Sequence, residues 1–271
     1  MRRTPHLRPL TILTCLILAL AIAGCSDDDN PTAPTEQAPT LPDPELITFN
    51  FSFFDQGQDL EQNKSLDEYD NFLNAYVRVA LLEVVARIVM TPPVAAFSLA
   101  LHTPPSLQDD GSWIWVYTHV DGDEQVQIRL RRLPLENGVE WELRVSVDGH
   151  QPELDNVIWF TGTTMDEGET GAWTFRDLDD PAFPISGEIA WGDNAAGRFL
   201  RFTCLGGDDM GDRLEFQDAD PMYTITFVDV DLDETSHIEW FADGHGSLTV
   251  PEYNDGEQAC WDTDLQNMVC P

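Results

Sequence analysis

Alternating carboxylates are the most suggestive chemical pattern in this chain of 271 residues. Asp229, Asp231 and Asp233 stand at every second position, as in the opening of a calcium-binding loop. Such a loop needs glycine at its sixth position and glutamate at its twelfth, where this chain has Glu234 and Trp240. The three aspartates therefore read as an acidic strand end, with weakly bound calcium the most that they offer. The turn clusters Asp121-Gly122-Asp123-Glu124 and Gly207-Asp208-Asp209 suit ordinary turns equally well. Glu140 and Glu142 lie two apart on a strand and share a face. Glycoside cleavage needs carboxyl groups about 5 Å or more apart across a cleft, with unequal proton affinities. Adjacency on one acidic strand does not supply that. His102, His119, His150, His237 and His245 show no short metal-ligand spacing, and the chain has no nucleotide loop, nucleophile elbow or zinc-type cysteine pairing. No catalytic residue is assigned, and a non-enzymatic protein is expected.

Cysteine chemistry is more informative. Cys260 and Cys270 are expected to form a disulfide, because the nine residues between them read as a polar loop near the C-terminus. A bridge closing a loop of that size stabilises by roughly 2 to 3 kcal/mol. Cys204 sits in an apolar strand pattern, Arg198 to Leu205, and reads as a buried free thiol.

A disulfide requires an oxidising compartment, and residues 1–25 supply the route to one. Arg2, Arg3 and Arg8 form a positive leader, Leu10 to Ile22 a short apolar run, and Ala23-Gly24 a small-residue cleavage site before Cys25. The apolar run is shorter than the roughly 20 residues that span a hydrocarbon core. Ile22-Ala23-Gly24-Cys25 resembles the lipobox of bacterial lipoproteins. That resemblance implies that residues 1–24 are removed and that Cys25 is acylated as a lipid anchor, making a membrane the first expected partner. Buried acyl methylenes contribute about 0.8 kcal/mol each, so more than one chain holds a protein stably. Residues 25–45 continue as an acidic tether with five prolines and no aromatic side chain to bury. Asp27-Asp28-Asp29 is similar to surface-export signals of some lipoproteins, and Ser26 favours the outer membrane by the enterobacterial sorting rule. The expected location is the cell envelope, on the periplasmic or surface face of the outer membrane.

The whole chain carries a formal charge of −35; residues 1–24 hold three of the 14 basic residues and none of the 49 acids, so the remainder carries −38. Phosphate backbones need lysine and arginine to neutralise them, so nucleic acid is excluded as an expected partner. The dispersed acids resemble the composition of salt-adapted proteins, and a cation-binding surface is the alternative.

Residues 46–271 are long enough for a single β-rich domain with its own core. Ile47 to Phe53 alternates like a strand. A long helix is expected at about 66–90, with Ser65 and Glu68 as its capping box and Pro92-Pro93 beyond its end. From about 94 to 251 the period changes to two, giving strands from Phe97 to Val250 joined by turns such as Glu136-Asn137-Gly138 and Gly192-Asp193-Asn194. Trp113 to Tyr117 and Val157 to Phe160 are apolar on both faces and should be covered twice. Residues 252–271 form the disulfide-closed C-terminal loop. The expected fold is mainly β: an antiparallel meander forming a strongly curved sheet or open barrel packed on an N-terminal helix. A closed up-and-down barrel with the helix outside is the alternative. Helix-then-meander order has a loose similarity to the half-barrels of lipoprotein carriers.

Seven of the eight tryptophans fall in these strands, mostly on the apolar face. Facing inward they form a core or line a site for a lipophilic ligand or envelope component. Facing outward they would stack on a glycan, the mark of a polysaccharide-binding or polysaccharide-cleaving lipoprotein. A cation-dependent structural or adhesion module is the third reading.

Overall fold

The computed structural model describes residues 51–57, 69–80, 98–100, 102–121, 124–165 and 168–271. Cys25, the tether, and the parts of the expected helix at 66–68 and 81–90 lie outside the described residues. Fourteen strands form one antiparallel sheet in strict chain order. They are β1 (Ser106–Leu107), β2 (Trp113–Asp121), β3 (Glu124–Leu135), β4 (Gly138–Val147), β5 (Leu154–Met165), β6 (Thr170–Arg176) and β7 (Ile185–Asn194). The order continues with β8 (Gly197–Cys204), β9 (Arg213–Ala219), β10 (Met222–Asp229), β11 (Glu234–Phe241), β12 (Gly246–Thr249), β13 (Ala259–Trp261) and β14 (Asn267–Met268). The sheet is a meander with β1 and β14 at its two edges; it does not close.

One face of the sheet carries the core, and the register shows why. Cross-strand partners point to the same side, and Trp113 pairs with Arg132, Arg132 with Trp141, Trp141 with Gly162, and Gly162 with Trp173. Trp191 pairs with Leu200, Leu200 with Phe216, Phe216 with Ile225, and Ile225 with Ile238. Trp240 and Trp261 both pair with Gly246. Every one of these tryptophans is buried. Three indoles lie across a glycine of the neighbouring strand: Trp173 over Gly162, Trp191 over Gly171, and Trp261 over Gly246, where a Cβ would meet the ring. Two of the three N–H groups are used locally, that of Trp191 donating to the Gly168 carbonyl (2.9 Å) and that of Trp261 to the Gly244 carbonyl (3.0 Å).

Residues 70–80 are helical, and the segment from Tyr69 to Val79 packs on the tryptophan face. Tyr69, Phe72, Leu73 and Val79 join Leu214, Ile225, Ile238, Trp240, Leu248 and Trp261 in one cluster. Ala100 and Leu99 join a second cluster with Trp113, Trp115, Trp141, Trp173 and Trp191. Helix and sheet thus meet as the change of hydrophobic period implies. Among the described residues no helix is long and apolar enough to cross a membrane.

Several local expectations are corrected. Ser52–Asp55 is a 3-10 turn rather than a strand; three residues per turn put Phe51 and Phe54 on one side, where both are buried. Residues 98–100 are helical rather than extended. Gly192-Asp193-Asn194 completes β7, and the turn is 195–196, where the Asn194 side chain accepts the Ala196 N–H (2.7 Å). β2 is not covered twice along its length, because Val116 is 44% exposed while Ile114 is buried. The C-terminal segment is not a bare loop: β13 and β14 add a hairpin to the sheet, and Cys260 and Cys270 are disulfide-bonded across it.

Candidate functional site

The acids singled out by spacing do not come together as a catalytic or metal centre. Glu142 receives a two-pronged contact from Arg144 (2.7 and 3.0 Å), and Glu140 faces Arg131 at 3.8 Å. Arg131 also reaches Asp110 (2.9 Å). These groups form an ion-paired ladder on the outer face. Asp110 accepts the Ser112 hydroxyl (2.6 Å) and backbone N–H (2.9 Å); these bonds, with Arg131, hold its carboxyl down at about 2.

The aspartates at the end of β10 serve the chain itself. Asp229 accepts the Leu232 N–H (2.9 Å), and Asp212, from the loop after β8, accepts the Val230 N–H (2.9 Å). Asp233 occupies the left-handed region that ends this turn (φ 54°). Partial burial pushes the Asp209 carboxyl up, and Asp212, Asp208, Asp229 and Asp231 push in the same direction. Among the described residues no group of three or more histidines, cysteines or carboxylates converges as a metal site. Cys204 is a free thiol, half-buried, and burial raises its pKa, with Asp209 and Asp212 adding to the effect.

The tryptophan face holds the chemically distinctive arrangement. None of the eight tryptophans is exposed; Trp159, in the register shift between the Leu143–Phe160 and Arg144–Ile158 pairs, is half-buried and the other seven are buried. Phe160 stacks on Trp173 (ring centroids 5.4 Å), and Trp173 meets Trp191 edge to face (4.8 Å). Into this apolar surface β3 projects one charge. Val126, Ile128 and Leu130 point inward at alternate positions, and Arg132 continues that parity between Trp113 and Trp141. No family model, curated protein or solved structure matches the chain. The site is therefore read from its own residues.

Arg132 stands at the rim of the inner face: Leu130 before it is buried, Arg132 is half-buried, and Pro134 after it is exposed. Its Nε is shielded from water and has no hydrogen-bond partner. Burial lowers its pKa, and no neighbouring charge offsets that. The adjacent indole is satisfied, since Trp141 Nε1 donates to the buried Thr164 hydroxyl (2.9 Å). The sequence signal for Arg132 was its parity: it is the fourth member of an inward series whose first three members are aliphatic.

Proposed function

We propose that this protein is a lipid-anchored, non-enzymatic component of the bacterial cell envelope that binds a lipophilic ligand on the tryptophan face of its sheet. The anchor rests on the Ile22-Ala23-Gly24-Cys25 motif and the acidic tether after it. One observation carries the binding half of the reading. The aromatic face belongs to an open sheet and is covered by separate stretches of the same chain, Phe51–Phe54, Tyr69–Val79 and Leu99–Ala100, rather than by strands paired into a closed barrel. An apolar molecule enters between such a cover and the sheet without breaking any strand pairing. The indoles supply large apolar contact area at low conformational cost. A glycan platform would instead need exposed rings, and no tryptophan is exposed.

The full chain, expressed with its own leader in a bacterial host and examined by native mass spectrometry, is expected to carry an apolar molecule at a fixed ratio, released by organic extraction. A bare, folded protein overturns the binding reading. Cys25→Ala is expected to move the protein from the membrane fraction to the soluble one, and a variant still held on the membrane overturns the anchor.

A further inference from the structure

Arg131 and Arg132 are sequence neighbours on opposite faces of β3, and they differ in one respect. Arg131, facing out, is paired with Asp110 and lies near Glu140. Arg132, facing in, has no hydrogen bond or ion pair among the described residues, in a chain with 49 acids. A guanidinium laid over apolar surface ordinarily keeps its nitrogens in water. Here Nε is closed off from water with nothing to receive its proton, which costs the desolvation of a charged donor unless an acceptor arrives. Arg132 is not fully buried at the rim, so an acceptor from outside can reach it.

We propose that Arg132 is the counter-ion for the anionic head group of the ligand, an amphiphile ending in a carboxylate or a phosphate whose apolar part lies against Trp113 and Trp141. This inference rests on the lipophilic-ligand reading and adds the charge of the ligand to it. The planar guanidinium offers paired donors that match two oxygens of either head group. The surrounding negative charge disfavours a free anion at this surface, and among the described residues Arg132 is the arginine whose Nε is shielded from water without an acceptor. The apolar part must therefore bring the head group to Arg132, so a small free anion has little to gain.

The test is calorimetric titration of the delipidated full chain with oleate, oleyl phosphate and oleyl alcohol, which share a tail and differ in head group. The wild type is expected to bind at least one of the two anions about tenfold or more tightly than the alcohol, the discrimination that a charge-assisted hydrogen bond provides. The preferred anion identifies the head group. Arg132→Gln is expected to abolish the preference and leave the alcohol affinity unchanged; Arg132→Lys, which keeps the charge but not the fork, is expected to keep a reduced preference. Equal affinity for all three compounds overturns the role of Arg132 and leaves the lipophilic reading standing. An unchanged preference in Arg132→Gln overturns it as well, as does loss of alcohol binding in a variant with native near-ultraviolet dichroism. If Arg132→Gln does not fold, Arg132→Lys decides, and an unreduced preference there overturns the proposal. Failure of every compound to bind the wild type removes the lipophilic reading and this inference with it.

Discussion

β2–β8 and β9–β14 bury their inner faces by different means. In the first half, the indoles of Trp113, Trp115, Trp141, Trp173 and Trp191 pack on one another and over glycines of adjacent strands. In the second half the covering segments do much of the work: Phe72 of the helix meets Trp261 edge to face (5.8 Å), and Phe54 of the 3-10 turn meets Trp240 (5.0 Å). A polar clasp fixes that helix. The Asn71 side chain donates to the Cys260 carbonyl (2.7 Å) and accepts the Tyr253 hydroxyl (2.7 Å), while its backbone N–H donates to the Asn267 side chain (2.9 Å). The disulfide closes the same hairpin. Among the described residues, covalent and polar fastening of a covering segment thus collects where the helix docks, whereas the half with Arg132 shows aromatic packing. On the proposed function, the half that admits the ligand is better served by packing that can part than by a clasp.

Trp261→Ala gives the largest expected effect and tests whether the halves are separable. Removing a fully buried indole costs about 3 to 5 kcal/mol, and amide exchange is expected to quicken in β11–β14 and residues 70–80 while β2–β7 stay protected. Uniform loss of protection would make the sheet one cooperative unit. Cys260→Ser with Cys270→Ser comes next, with about 3 kcal/mol lost for a loop of this length, measured by urea unfolding; an unchanged midpoint would remove the disulfide from the contrast. In the first half, Gly162→Ala drives a Cβ into the Trp173 ring and the Ala172 carbonyl. Overpacking of this kind costs about 1 to 3 kcal/mol, and a neutral result would show that the indoles have slack. The smallest effect concerns Asp110. Its carboxyl, depressed to about 2 by Ser112 and then Arg131, contributes stability that is fully present above its ordinary pKa. That contribution fades as the pH falls from about 4 toward 2. Ser112→Ala, which removes the hydroxyl and keeps the backbone N–H, is expected to raise the titration midpoint in carbon-detected NMR, and an unmoved midpoint would assign the depression to the backbone N–H and Arg131.

Period-two patterning was enough to place β2 to β12, because most of these strands have one wet and one dry face and the alternation survives in single residues, while apolar runs bounded by turns marked the others. β1, β13 and β14 escaped it, being two or three residues long and recognisable only from the neighbours that they pair with. The phenylalanines near residue 51 misled for a physical reason: alternate spacing over a few residues does not separate a strand from a tight helical turn, and packing on Phe72 and Trp240 chose the turn. The inward tryptophans were legible as a core, and the Cys260–Cys270 pair was legible from loop length. Arg132 was not, since an arginine in an apolar parity series looks the same whether its charge is matched or not; that distinction exists only once neighbouring strands are in register.

Strand order that follows chain order has a consequence for how the molecule is made. The helix bearing Phe72 emerges from the ribosome well before the strands that it covers, and Asn71 meets Cys260 across 189 residues of sequence. At about 5 to 20 residues per second, an early apolar segment waits on the order of ten seconds or more for its seat. A chain in that condition, in synthesis and in the export proposed for it, needs a holder until the strands that seat the helix have followed it.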